Sequence, residues 1–154
     1  MNFDNQIEFM LRVNLEGSTK AKNFYLPKNL LLNASQFFRD LDNFHLLFLS
    51  DFKSFCITTD DLKIAEAVIL SIYQLPKHIN GPEWLVKLKK LHFMSRYGFK
   101  INSECKITLT DSNIGQVFSY LESIGYPKHL DSYVMAALRN YYHPSKYSER
   151  EKLI

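Results

Sequence analysis

The sequence predicts an α+β fold, a small β-sheet flanked by a helical cluster, with additional C-terminal helices. Three observations carry that prediction. Residues 7–15 alternate apolar and polar, a nearly all-apolar helix follows Thr59-Asp60-Asp61, and the later helical stretches are punctuated by glycine and proline.

In the first stretch Ile7, Phe9, Leu11, Val13 and Leu15 are separated by Glu8, Arg12 and Asn14, the period of two that puts one face of a strand into a core. Glu16-Gly17-Ser18 reads as a turn, and Lys22 to Leu26 returns as a second strand of a hairpin. Pro27 stops that strand because it has no N–H to give to a ladder. The runs Leu30-Leu31-Leu32 and Phe37-Phe38 then suit two short helices broken near Asn33 to Ser35, with Ser35 capping the second. Phe44 to Phe48 and Phe55 to Thr58 read as two further short strands around a Ser50-Asp51 turn.

Thr59-Asp60-Asp61 opens the strongest helix, because a capping oxygen and two acids suit the positive end of a helix dipole. Leu62, Ala65, Ile69, Ile72 and Tyr73 form one stripe, and Ile64, Val68 and Leu70 are apolar too, so the helix is expected to be buried on most sides until Pro76 ends it. Asn80-Gly81-Pro82-Glu83 starts the next helix, with proline at its first position, and Trp84, Leu85, Leu88, Leu91 and His92 follow at helical spacing up to Gly98. Asp111 opens another, carrying Ile114, Val117, Phe118, Leu121 and Ile124, and Gly125 with Pro127 stops it. The last helix carries Leu130, Val134, Ala137, Leu138 and Tyr141.

Composition excludes whole classes of function. The chain has 154 residues, 46% hydrophobic, with only five glycines and five prolines, so it can bury a core and is neither disordered nor low-complexity. A net charge of +3 is too mild to point by itself to nucleic acid. Met1 to Gln6 show no basic start followed by an apolar run, and the most apolar helix is about half the ~20 residues a bilayer requires. Cys56 and Cys105 fit no metal spacing, which makes a reduced intracellular setting, cytoplasmic or nuclear, the economical expectation, with one disulfide as the alternative.

The search for chemistry returns no phosphate loop, nucleophile elbow, zinc-protease helix or dinucleotide fingerprint, and no enzyme activity is expected. His45, His78, His92, His129 and His143 are scattered without ligand spacing, so neither a metal nor a cofactor is expected. Cys56 in its strand reads as a small buried hydrophobe, and Asp60 and Asp61 read as helix-capping groups. One basic stretch merits weight: Lys87, Lys89, Lys90, Arg96 and Lys100, with Trp84, Phe93, Tyr97 and Phe99 between them, could grip phosphates and stack bases. A solvated face of an amphipathic helix gives the same pattern and is the favoured explanation.

Over residues 7 to about 100 the order of elements resembles the BTB/POZ fold shared by elongin C and the small adaptor subunits of F-box ubiquitin ligases. The run Phe24 to Leu41 is similar to the family's "vLaarSeyFram" motif, with Ser35, Phe38 and Arg39 at the matching places. Cys56 to Asp61 followed by Ala67 to Tyr73 is similar to its strand and its helix ending in "yiYtg", with Ile72-Tyr73 as the shared dipeptide. Trp84 to Phe99 is similar to the helix that follows. Leu41-Asp42-Asn43 lacks the glutamate of the family's cullin-contacting element.

The resemblance implies a core over 1–100, followed by a C-terminal helical extension over 107–143; Pro144 and the polar residues after it read as a flexible tail over 144–154, and Lys100 to Lys106 as the seam. It implies a protein-protein interaction module working by surface complementarity. Such a module would be a homodimer, or an adaptor linking a target to a ubiquitin-ligase scaffold such as a cullin, with Phe38, Arg39, Leu41 and Phe44 as partner-binding candidates. The alternative is a nucleic-acid-binding regulatory protein using the basic helix around Lys87 to Lys100. No membrane partner is expected.

Overall fold

The computed structural model describes residues 8–43, 54–75, 77–101 and 106–143. Its architecture is α+β: a three-stranded mixed sheet and, among the described residues, six α-helices. The chain divides into two compact units, Met1–Asn80 with Phe93–Ile101, and Gly81–His92 with Asn102–Ile154.

The first unit is built on the hairpin. Strand β1, Glu8–Leu15, pairs antiparallel with β2, Ala21–Pro27, with Phe9 opposite Leu26 and Leu11 opposite Phe24. Period-two alternation operates as expected: Phe9, Leu11 and Val13 are fully buried, while Met10, Arg12 and Asn14 between them are half-buried. Helices α1, Lys28–Ala34, and α2, Gln36–Asn43, follow directly. The third strand, β3, Ser54–Thr59, lies on the other side of β1 and runs parallel to it, giving the order β2-β1-β3. A parallel neighbour cannot be reached by a tight turn, and the intervening helices occupy the crossover. The strand expected over Phe44 to Phe48 lies outside the described residues, as does the tail over 144–154.

Helix α3, Leu62–Ile72, has six consecutive buried residues, Ile64 through Ile69, which fits a helix surrounded by the core. Asp61 is its N-cap, its carboxylate accepting from the amides of Lys63 at 3.0 Å and Ile64 at 3.2 Å. The expected stop at Pro76 is corrected: the helix ends at Ile72, because Gln74 turns left-handed, φ 60°. Gln74 N–H then donates to Ser71 O at 2.9 Å and Leu75 N–H to Leu70 O at 3.1 Å, the pair of bonds that closes a helix from within. Glu66, in mid-helix, is buried among apolar neighbours and is held in ion pairs by Lys22 from β2 and Lys77. A buried carboxylate needs such partners to remain charged.

The helical layer meets the sheet in an aromatic cluster. Phe38 and Phe37 stand edge to face at 5.1 Å, Phe37 and Tyr97 at 5.4 Å, and Phe93 stacks on Phe99 at 5.8 Å. Both outer strands carry a tyrosine hydroxyl: Tyr73 Oη donates to Tyr25 O on β2 at 3.0 Å, and Thr58 N–H on β3 donates to Tyr97 Oη at 2.9 Å. These bonds take up edge groups that would otherwise invite a further strand.

Helix α4 spans Glu83–Arg96, and its residues up to His92 belong to the second unit. Pro82 stands just before the helix, not at its first position, and its carbonyl accepts from Leu85 and Val86 N–H, both at 3.1 Å. Residues 106–110 alternate exposed and buried, with Ile107 and Leu109 inward. Helix α5, Ile114–Ser123, starts three residues later than Asp111, because Thr110 and Asn113 form a reciprocal turn first: Thr110 N–H donates to Asn113 Oδ1 at 2.8 Å and Asn113 N–H to Thr110 Oγ1 at 3.2 Å. Gly125, φ 77°, closes α5 as expected, with Tyr126 N–H donating to Leu121 O at 2.9 Å. Pro127 leads into a single 3-10 turn, Lys128–Leu130, and then α6, Asp131–Tyr142, so Leu130 lies in the turn and not in the last helix.

Candidate functional site

The residues that carry the family-like motif converge on the elbow between α1 and α2. Ser35 is fully buried there. Its hydroxyl donates to Tyr97 O at 2.6 Å and accepts from Phe38 N–H at 3.2 Å, so one side chain caps α2 and ties it to the chain beyond α4. Gln36 N–H donates to Gly98 O at 2.9 Å and Lys100 N–H to Ala34 O at 3.2 Å, completing a short backbone seam. Gly98 is required twice over: its φ is +64°, and a Cβ there would stand 2.7 Å from the Phe37 backbone nitrogen.

Around this elbow the four partner-binding candidates have different situations. Phe38 is 0% exposed and packs in the aromatic cluster, so it offers no surface to a partner. Arg39 is half-buried and turned back on its own chain: Nη1 donates to Leu32 O at 2.8 Å and Asn33 O at 3.2 Å, and Nη2 donates to Gln36 Oε1 at 2.7 Å. A guanidinium on the last carbonyls of α1 satisfies groups the helix leaves open. Leu41 is partly buried against the core. Phe44 lies outside the described residues.

The basic candidates do not form one face. At about 100° per residue, Lys89 and Arg96 share one side of α4 while Lys87 and Lys90 point to another, roughly 160° from Lys87 to Lys89. Lys87 pairs with Glu83 at 2.9 Å, and that hydrogen bond and charge hold the Glu83 carboxyl below its usual range. Arg96 pairs with Glu16 at 2.5 Å and lies over the Tyr97 ring, 5.3 Å from its centre. Lys89 and Lys90 are half-buried, so the expected fully solvated face is corrected to one that is partly covered, and Lys100 is exposed.

Exposed apolar groups lie elsewhere. In the first unit Tyr25 is 62% exposed on β2 and Leu75 54% exposed past the end of α3. The bond from Tyr73 Oη to the Tyr25 carbonyl ties this end of α3 to β2. Burial, and then the nearby Glu8, push the Tyr73 hydroxyl above its ordinary value. In the second unit a cavity of about 190 Å³ is lined by Leu121, Tyr126, Leu130, Val134 and Met135, with Asp131 at its polar side.

Cys56 was expected inside and is exposed. The physical reason is the strand's own alternation: Ile57 and Thr59 take the inward positions of β3, which sends Cys56 out. The histidines expected to be scattered include two that meet. His92 Nδ1 and His129 Nε2 are 2.8 Å apart although 37 residues separate them in the chain. Sequence spacing carries no signal for such a pair, because only the return of the chain through α5 brings the 3-10 turn to α4. Among the described residues no group of three His, Cys, Asp or Glu side chains could hold a metal ion, and no helix is long and apolar enough to cross a membrane.

Comparison with models of known protein families finds no match, and comparison with curated protein sequences finds none either.

Proposed function

We propose that this chain is a protein-interaction module of the BTB/POZ-like kind, acting as a homodimer or as an adaptor between a target and a ubiquitin-ligase scaffold. One observation carries this reading. The motif residues Ser35, Phe38 and Arg39, which carry the resemblance in the sequence, occupy the packed elbow of a hairpin, helix pair, parallel strand and buried helix in that order. Ile72 and Tyr73 likewise stand at the end of α3, where Tyr73 reaches β2. The mechanism is binding: buried apolar surface drives association and the polar rim selects the partner.

The motif residues are scaffold in this reading, and the contact surface is drawn from what the scaffold exposes. Tyr25 and Leu75 are the first candidates, since exposed aromatic and aliphatic groups are the usual anchors of an interface. Within this proposal a cullin is a weaker partner than a second copy or another adaptor, because Leu41-Asp42-Asn43 lacks the family's glutamate.

The test is size-exclusion chromatography with light scattering at low and high salt, with and without a short mixed-sequence duplex. A dimer that is insensitive to salt and ignores the duplex is expected, and Tyr25→Ser with Leu75→Ser should shift it toward monomer with unchanged circular dichroism. A monomer that joins the duplex only at low salt would replace this reading with nucleic-acid binding.

A further inference from the structure

We propose that the second unit holds a binding site for a neutral pyranose sugar, with the Trp84 indole as its apolar wall and Thr108 and Asn113 as its hydrogen-bonding wall. Two local patterns build the site. Residues 106–110 alternate, and with Ile107 and Leu109 turned inward, Thr108 and Thr110 come out on the same side. On α4, Glu83, Trp84 and Lys87 stand on the first two turns, with Glu83 and Lys87 one turn apart. Together with Asn113 these residues line a cavity of about 330 Å³, all of it within this one unit. That volume is at the low end of the roughly 300–1,000 Å³ of small-molecule sites, which suits a single ring better than a chain.

The first selector of ligand chemistry is charge. Glu83 and Lys87 are the charged groups of the lining and pair with each other at 2.9 Å, so the wall carries no net charge. An anion approaching Lys87 meets the Glu83 carboxylate, and a cation approaching Glu83 meets the ammonium, which leaves a neutral ligand favoured. The second selector is a set of hydrogen-bonding groups beside an aromatic ring. Asn113 is held by its own chain: Oδ1 accepts from Thr110 N–H at 2.8 Å and Nδ2 donates to Thr108 O at 3.0 Å, which fixes the amide's orientation and leaves one N–H to give. Thr108 is exposed, and among the described residues neither its hydroxyl nor the Trp84 indole N–H has a hydrogen-bond partner. Thr110 offers less, since its hydroxyl already meets Ser112 Oγ at 2.9 Å and Asn113 N–H at 3.2 Å.

A pyranose answers both selectors. It is neutral, its ring C–H groups make an apolar face for an indole to cover, and its hydroxyls donate and accept around that face. An apolar ligand of the same size would strand the Thr108 hydroxyl and the Asn113 N–H away from water, whereas a sugar hydroxyl replaces the water each of them gives up.

The experiment is a titration of the whole chain with methyl β-D-glucopyranoside and with N-acetylglucosamine, followed by nitrogen–proton NMR. The chain has one tryptophan, so the Trp84 indole N–H gives a single side-chain signal that reports on this site. Saturable shifts of that signal and of the Thr108 and Asn113 amides are expected, with half-saturation at roughly 1 mM, the value for a monosaccharide-sized ligand of ordinary efficiency. Thr108→Val keeps the shape of an exposed side chain and should weaken binding by roughly 2- to 10-fold through the lost hydrogen bond. Trp84→Leu should abolish the shifts at Thr108 and Asn113. Absence of saturation far above the expected concentration overturns the site, as does sugar binding that both variants leave unchanged. Shifts produced by adenosine or AMP and by neither sugar overturn the assignment of a pyranose. If Trp84→Leu does not fold, Thr108→Val decides alone.

Discussion

Ser35 ties the start of α2 to the chain beyond α4 through one small side chain. It is fully buried, it caps α2 through Phe38 N–H, and it donates to Tyr97 O, so its hydroxyl uses both its donor and an acceptor position. Ser35→Ala removes the oxygen but leaves a buried carbonyl and a helix-start amide in place. The expected cost is about 1.5 to 3 kcal/mol, the range for stranding buried polar groups, measurable by urea denaturation with an unchanged slope. Serine at a helix start was legible in the sequence as a cap. Its second bond was not, because Tyr97 lies 62 residues away in the chain and no local rule connects the two.

At the scale of the element, the two ends of α3 show how differently a start and a stop are written. The start is local chemistry: Asp61 accepts from Lys63 and Ile64 N–H, and Asp61→Ala should cost about 1 kcal/mol of stability in thermal or chemical melts. The stop is also local, but Gln74 makes it with a left-handed φ of 60°, a conformation in which a side chain is strained and glycine is not. Gln74→Gly is therefore expected to raise stability by roughly 0.5 to 1 kcal/mol despite adding freedom to the unfolded chain, and a lower melting temperature would sink that account. Proline is such a strong punctuator that Pro76 drew the expected boundary past the true one. In α5 the glycine itself was visible, and Gly125 closes the helix where the sequence placed it.

At the scale of the whole molecule, the proposed association and the alternative of nucleic-acid binding differ in what they ask of the charges on α4. Net charge is +3, Lys87 and Arg96 are engaged with Glu83 and Glu16, and the cations of α4 spread around its axis. The duplex arm of the chromatography should therefore leave the elution unchanged at physiological salt, where a cluster of free phosphate-binding cations would not. The two units carry different features: the first the motif elbow and the exposed Tyr25 and Leu75, the second the histidine pair.

By itself the sequence determined the α+β class, the hairpin, the capped and buried α3, the break at Ser35 and the glycine stops, because each rests on contacts within a few residues or on a period of two or 3.6. Tertiary structure alone decided that β3 runs parallel beside β1, that Cys56 faces out, that Phe38 is core and Arg39 a helix-end group, and that His92 meets His129. Those are choices among faces and partners far apart in the chain. A residue's type says it can be buried, donate or accept; only the packing of distant elements says against what.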